Sequence, residues 1–428
     1  MDNYTQHKLK NGVRLVLVPN RQTAAAAVLV LHEVGSRYES DKLAGAAHFI
    51  EHMMFKGTEK RPTNLQISRE LDSIGADYNA FTGRDCTGYY VKAVADQLPL
   101  AVEMLGDVLH NSTFPEEALE YERMVILEEI KMYEDNPLMQ VGSLLEEELY
   151  RGAPLGRQIA GSVESVSGLT RKDLIKFRDQ YYVPSRTVVA VAGNFDEAEV
   201  MDLVAEHFGG KSSRKSGVDY DRFDVSKAGY RCPRVKLQVK ELEQYHLALG
   251  FPAYGYGDKR LAALTLLSVI LGGTMSSRLF TEVREKRGYA YFVRASASIY
   301  QDVGNLAIQA GVASDKFEDA IKVIFNELRK LKSKPVGAAE LKRAKNFVKG
   351  KTVLHLEDSN DLAEWFARQD LLEKRIESPE SKLEKIFAVT PADIQAVARD
   401  IIRANRLTVA AVGPETDTLA ITKLAKQL

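Results

Sequence analysis

The stretches LTRKDLIKF (Leu169–Phe177) and RTVVAVAG (Arg186–Gly193) occur a second time near the end of the chain. The second copies are VTPADIQAV (Val389–Val397) and RLTVAAVG (Arg406–Gly413). The threonines at 170 and 390 and the glycines at 193 and 413 are both 220 residues apart. Each copy reads as a helix start followed by an apolar strand. This ungapped offset indicates two domains of similar fold.

The duplication places a domain boundary at a polar segment, GGKSSRKSG, at residues 209–217. We predict a first, metal-binding domain over residues 1–208, a linker over 209–230 and a homologous second domain over 231–428. The mixture of apolar strands and amphipathic helices predicts an α+β fold. In each domain we expect a mostly antiparallel β-sheet covered by α-helices.

Strands and helices can be assigned in the first half of the chain. The strand candidates are Val13–Val18, Ala24–Leu31, Asp77–Thr82 and Thr87–Val94. The helix candidates are Leu43–Lys56, Thr63–Ile74, Gln97–His110 and Pro115–Tyr133. Ser40 and Asp41 are favourable N-caps, so the first of these helices is expected to begin near Leu43.

Composition narrows the class of protein. The 428 residues are 45% hydrophobic and 27% charged with a net charge of −1, so no basic field favours nucleic acid or an acidic membrane. Cys86 and Cys232 lie far apart and form no CxxC pair, which favours a reduced compartment. Neither a signal peptide nor an apolar run of about 20 residues is evident. We predict a cytoplasmic location and leave import into an organelle open.

The run His-Phe-Ile-Glu-His at residues 48–52 has the spacing of a metal site. On a helix, His48 and His52 share one face with Cβ atoms about 5–6 Å apart. Two imidazole nitrogens can then reach one zinc ion at about 2.0–2.1 Å. Glu51 points to the same side and is the candidate general base, as in the inverted H-x-x-E-H motif. The alternative is a capped, partly exposed helix whose histidines bind nothing.

The helix from Pro115 offers a third ligand. On a helical wheel its apolar arc consists of Ala118, Tyr121, Val125, Ile126, Met132 and Tyr133. Glu122 and Glu129 fall near the middle of this arc, and Glu128 lies at its edge. A buried carboxylate is costly unless it is paired or bound to a metal, which favours a cation at this helix. The alternative is a pair of carboxylates neutralised by nearby Lys or Arg.

The segment GAAHFIEHMMFKGT (Gly45–Thr58) resembles the motif of the pitrilysin family, which includes insulin-degrading enzyme and mitochondrial processing peptidase. In that family H-x-x-E-H is followed by 76 residues and a glutamate ligand. Residues 53–128 number 76, so the resemblance makes Glu129 the ligand. The supporting glutamate seven residues earlier corresponds to Glu122, which would orient the metal ligands.

Two further segments resemble the same family. GADYNAFTGRDCTGYY (75–90) is similar to an edge strand to which substrate adds as a further strand, which implies a binding role for Asn79 and Ala80. Asp85 stands where the family commonly has Glu, and an ordinary buried strand is the alternative. SSRLFTEVREKRGYAYFV (276–293) implies that Arg284 and Tyr291 stabilise the tetrahedral intermediate. Without the family resemblance, we would interpret Arg284 as a solvated charge on a helix and Tyr291 as an ordinary strand residue.

The resemblance implies a zinc-dependent endopeptidase. The second domain lacks H-x-x-E-H, so one zinc ion per chain is expected. Large family members enclose peptides with four domains, and this chain has two, so a homodimer with the active site completed in trans is expected. Its chamber would admit short or unfolded peptides. The alternatives are a processing subunit that acts with a partner chain, such as an inactive homologue, and a metal-binding structural subunit.

Overall fold

The computed structural model describes residues 4–210, 219–230, 233–414, 418–426 and 428. Most of the predicted linker segment GGKSSRKSG and Cys232 lie outside the described residues. The chain divides into two compact units. The first unit consists of residues 1–130, 157–220 and 352–379, and the second of 131–156, 221–351 and 380–428. Each unit therefore draws segments from both sides of residues 209–230, and the linear domain boundary stays a prediction.

The first unit contains a six-stranded sheet. Its strands are β1 (Thr5–Lys8), β2 (Arg14–Pro19), β3 (Ala25–His32), β4 (Asp77–Thr82), β5 (Thr87–Val94) and β6 (Thr187–Gly193). They lie in the order β1-β2-β6-β3-β5-β4, and only the β2–β6 pair is parallel. The central strands β3 and β6 are buried along almost their whole length, which accounts for their continuous apolar sequence.

The second unit contains a five-stranded sheet. Its strands are β7 (Arg234–Val239), β8 (Gln244–Ala253), β9 (Ala290–Ile299), β10 (Gly304–Ala313) and β11 (Thr408–Gly413). The order is β7-β11-β8-β10-β9, and only β7–β11 is parallel. This order repeats β2-β6-β3-β5-β4 of the first sheet. The predicted α+β fold with two mostly antiparallel sheets is confirmed.

Fifteen α-helices are present in the described part of the chain. They are α1 (Ala46–Met54), α2 (Asn64–Ser73), α3 (Leu98–Asn111), α4 (Glu116–Asp135), α5 (Pro137–Leu149), α6 (Val163–Gly168), α7 (Arg171–Tyr181), α8 (Glu197–Phe208), α9 (Leu261–Ser268), α10 (Phe317–Ser333), α11 (Ala338–His355), α12 (Ser359–Arg368), α13 (Pro379–Ala388), α14 (Pro391–Ile401) and α15 (Thr418–Ala425). Among the described helices, none combines the length and apolarity that a bilayer crossing requires.

The repeated sequence forms the same local structure in both units. Thr170 and Thr390 are the N-caps of α7 and α14, and each forms a capping box with the aspartate three residues later. Each helix leads into the strand that is parallel to its neighbour, β6 or β11. The duplication seen in the sequence is therefore a duplication of fold.

The start of α1 differs from its prediction. Residues Asp41–Leu43 form a 3₁₀ turn, and α1 begins only at Ala46. Gly45 has a φ of 90°, and a Cβ there would lie 2.7 Å from the carbonyl oxygen of Ala160. The carboxylate of Glu39 accepts the N–H groups of Gly45 at 2.8 Å and Ala47 at 2.7 Å. The true cap is therefore the buried side chain of Glu39, which lies before the expected N-caps, Ser40 and Asp41.

A buried histidine lies at the end of β3. His32 Nδ1 is 3.0 Å from Oγ1 of Thr187, and that hydroxyl donates to the carbonyl oxygen of Val183 at 2.9 Å. The hydroxyl must therefore accept from Nδ1–H, so the ring is the neutral Nδ1–H tautomer. Burial, together with the nearby His110, lowers the pKa of His32 to about 3.

His32 should lower the free energy of unfolding as pH drops from 6.5 toward 3, since the unfolded chain binds a proton there that folded His32 accepts only near pH 3. One such proton costs about 1.4 kcal/mol for each pH unit in this window. His32→Asn keeps an N–H donor for Thr187 and should flatten this dependence, as measured by urea unfolding at a series of pH values. Equal slopes for the two proteins would contradict the assignment.

Candidate metal centre

Helix α1 brings His48 and His52 together. The two rings lie one turn apart, with centroids separated by 4.7 Å and planes inclined at 73°. Between them, Phe49 and Ile50 are fully buried and anchor the helix to the core of the first unit. The anchoring residues and the two histidines thus lie on different faces of one short helix, which holds both imidazoles on one side.

Glu129 on α4 completes a three-residue cluster. Its Oε2 lies 3.6 Å from Nε2 of His48 and 3.6 Å from Nε2 of His52. The three ligand atoms all lie within 4.8 Å of one another, and no second such group occurs in the described residues. Bonds of about 2.0–2.1 Å in tetrahedral geometry would separate neighbouring ligand atoms by about 3.3 Å. The spacing of the three ligand atoms therefore fits a zinc ion.

Glu122 orients the second imidazole. Its Oε2 accepts from Nδ1 of His52 at 2.9 Å, and its Oε1 from Nζ of Lys56 at 2.6 Å. Burial alone would raise the pKa of the Glu122 carboxyl, but hydrogen bonds from His52 and Lys56 hold it below its ordinary value. The proton on Nδ1 leaves the Nε2 lone pair of His52 directed toward Glu129. The structure thus places Glu122 in contact with His52, and the role of Glu122 in supporting a metal ligand stays a prediction.

His48 also presents a neutral nitrogen. Burial and the neighbouring His52 lower the pKa of His48 to about 4. Its Nδ1 is buried and has no hydrogen-bond partner among the described residues. A neutral imidazole is the form that binds a metal, so His48 is ready to act as a ligand at neutral pH.

Glu51 lies beside this cluster. Its Oε2 accepts a hydrogen bond of 2.6 Å from Oγ1 of Thr82, at the end of β4. Burial raises the pKa of the Glu51 carboxyl, against the effect of the Thr82 bond. A raised pKa brings a carboxylate closer to the proton affinity that a general base needs near neutral pH.

The wheel prediction for α4 was wrong in part. The buried face consists of Leu119, Glu122, Ile126 and Ile130. Tyr121, Val125 and Met132, which we expected on the buried arc, are exposed. Glu122 is buried and forms an ion pair with Lys56. For this residue, the alternative of neutralisation by a nearby lysine therefore holds. Glu129 lies at the border between the buried and exposed faces, because the face that packs is rotated away from the centre of the apolar arc.

The edge strand β4 carries Asn79 and Ala80. They pair with Tyr90 and Tyr89 of β5, and β5 is the only strand next to β4 in the described sheet. The strand is exposed or half-buried along its length, unlike the ordinary buried strand considered as the alternative. Its last residue, Thr82, contacts Glu51. The role of Asn79 and Ala80 in substrate binding stays a prediction.

Arg284 and Tyr291 belong to the second unit. Arg284 lies in a π-helical segment, Phe280–Glu285, and Tyr291 lies on the edge strand β9. The guanidinium carbon is 5.4 Å from the centroid of the Tyr291 ring, and the tyrosine side chain is 82% exposed. The structure therefore brings this pair together on a surface. Their role toward an oxyanion stays a prediction.

Sequence reasoning missed Thr82, Lys56 and Glu39. Lys56 follows His52 by four residues, and this helical spacing is a signal that could have placed it on the same face. Thr82 is separated from Glu51 by 31 residues, and no local pattern indicates their contact. Glu39 precedes the expected N-caps, so capping preferences alone point to the wrong residue.

This chain is similar to known proteins over most of its length. Residues 14–163 match the family model of the insulinases, peptidase family M16, and residues 168–348 match that of the peptidase M16 inactive domain. An uncharacterized zinc protease of Streptomyces coelicolor is 37% identical over 96% of this chain and 90% of its own length. One of Bacillus subtilis is 34% identical over 92% and 95%.

A solved structure shares the fold. The crystal structure of a protease from Helicobacter pylori has a TM-score of 0.89 and 26% identity, and covers 97% of this chain and 100% of its own. Fold, site and relatives together support the class of metallopeptidases. This chain belongs to the insulinase family, peptidase family M16. The resemblance drawn from the sequence is confirmed at the level of the family.

Glu122→Gln should weaken zinc binding by about 10–100-fold, since an amide is a poorer acceptor for His52 Nδ1–H. Competition with a chromogenic chelator measures the affinity. Glu117→Gln, an exposed change in the first turn of the same helix, is the matched control and should bind zinc as the parent does. Equal zinc affinities of the two variants would show that Glu122 does not support metal binding.

Proposed function

We propose that this protein is a zinc-dependent endopeptidase that hydrolyses short or unfolded peptides within a dimeric chamber. The observation that carries the proposal is the convergence of His48 Nε2, His52 Nε2 and Glu129 Oε2, with Glu51 beside them. The names of the relatives as zinc proteases support the choice of metal and reaction. A cytoplasmic location stays a prediction.

Each side chain has a part in hydrolysis. Zinc held by His48, His52 and Glu129 would supply a Lewis acid at the scissile carbonyl. Glu51, held by Thr82, takes a proton from the attacking water and then delivers a proton to the leaving amine, so that acid and amine products balance the water consumed. Backbone groups of β4 would align the peptide as an additional strand.

Glu51→Gln should hold zinc and yet lose peptide hydrolysis by at least about 100-fold, because an amide does not accept the proton. Cleavage of an internally quenched peptide and the zinc content of the same sample are measured together. Glu117→Gln again serves as the control. Undiminished cleavage by Glu51→Gln would exclude it as the base. If the zinc-loaded parent protein cleaves no peptide, the remaining alternatives are a structural subunit and one half of a heteromeric enzyme.

Arg284 and Tyr291 are proposed to act on the metal centre of the other protomer of a homodimer. In a mixed dimer of Glu51→Gln and Arg284→Ala chains, one of the two sites then keeps both intact elements. Random exchange of protomers should restore about a quarter of the parent activity, since half of the dimers are mixed. Quenched-peptide assays before and after exchange measure this recovery. If verified mixed dimers recover no activity, Glu51 and Arg284 do not act together across the two protomers.

A further inference from the structure

Helix α4 exposes three large apolar side chains on one face. Tyr121 is 67% exposed, Met124 68% and Val125 38%, and their spacing of three and four residues makes them neighbours. We call these three residues the α4 apolar stripe. The opposite face packs into the core through Leu119 and Ile126, so the stripe is not needed to hold the helix in place. A contiguous apolar group left in water marks a surface that something contacts.

The stripe leads directly to the metal centre. Val125 precedes the ligand Glu129 by one helical turn, so their side chains are adjacent on α4. From Tyr121 to Glu129 the helix rises about 12 Å, at about 1.5 Å per residue. An extended peptide covers that distance with about three or four residues, at about 3.3 Å each. A peptide whose scissile bond reaches the cluster can therefore lay a neighbouring side chain on the stripe.

We infer that the α4 apolar stripe binds aromatic or large aliphatic side chains of the substrate within about four residues of the scissile bond. This inference rests on the proposed function and names its substrate class. A methionine and a tyrosine tolerate varied apolar partners, since the thioether is flexible and the ring offers a large surface. The expected selectivity is therefore for size and apolarity.

A transient peptide fits the stripe better than a permanent partner. A protein that covered Val125 permanently would also cover the adjacent ligand Glu129. The exposed Glu128 lies on the same face, one turn from Met124, and charged side chains are depleted at the centres of stable interfaces. A second copy of the chain is the other occupant that the stripe could have. The experiment below distinguishes it from a peptide by measuring the oligomeric state of the variants.

Peptide binding tests the inference without requiring catalysis. The zinc-loaded Glu51→Gln protein is titrated with two dye-labelled peptides that differ only in Phe or Ser at one position, and fluorescence anisotropy gives the two affinities. The position is moved along the peptide in a series. At its best position, we expect the Phe peptide to bind about tenfold more tightly, as burial of an aromatic ring allows.

Tyr121→Ser or Met124→Ser, added to this protein, should lower the Phe/Ser ratio toward one, and Met124→Leu should keep it. Val163→Ser, an exposed apolar residue on α6, is the matched control and should leave the ratio unchanged. A ratio near one at every position, or one that persists in both serine variants, overturns the inference. So does a serine variant that alters the oligomeric state alone.

Cleavage by the parent protein is scored separately. If both peptides are hydrolysed at equal rates and bind with equal affinity, the role of the α4 apolar stripe is excluded and the endopeptidase function is retained. If the two affinities differ in a way that depends on the α4 apolar stripe but neither peptide is hydrolysed, the endopeptidase function is excluded. The stripe is then retained as a peptide-binding surface. The failures of the two proposals are thus distinguishable.

Discussion

The convergence of two imidazoles and one carboxylate on a single point is the constraint on which the site depends. Oε2 of Glu129 reaches within 3.6 Å of two nitrogens that belong to a different helix. Burial keeps the His48 imidazole neutral by lowering its pKa, and the hydrogen bond to Glu122 orients the His52 ring. The rigid packing of α1 and α4 in the first unit serves this requirement.

The anchoring of α1 shows how far the surrounding structure is arranged around the cluster. The helix is short, and it is enclosed by core side chains on most of its faces. Its first N–H groups are satisfied by Glu39, a carboxylate buried at the positive end of the helix. Because the backbone of α1 is fixed at its start, the candidate ligands His48 and His52 have little freedom.

The two sheets share one strand order, and their equivalent edge strands carry different side chains. In the first unit the edge strand β4 ends at Thr82, which donates a hydrogen bond to Glu51. In the second unit the equivalent edge strand β9 carries the exposed Tyr291, close to Arg284. Edge strands have unpaired backbone groups on one side, so both units offer a peptide the same type of partner. Candidate functional residues of both units thus lie on or beside edge strands, where the main chain is accessible.

The resemblance of the sequence to the pitrilysin family selected Glu129 from the acidic residues of α4. The sequence alone determined the duplication, the sheet class and the histidine pair, because helical and strand periods are local properties that a one-dimensional pattern records. It placed the start of α1 three residues early and assigned the exposed residues of α4 to a buried arc. Only the tertiary structure decided these points, and with them the contacts of Thr82, Lys56 and Glu39. Which face of a helix is buried depends on how neighbouring elements pack, and those neighbours are distant in the sequence.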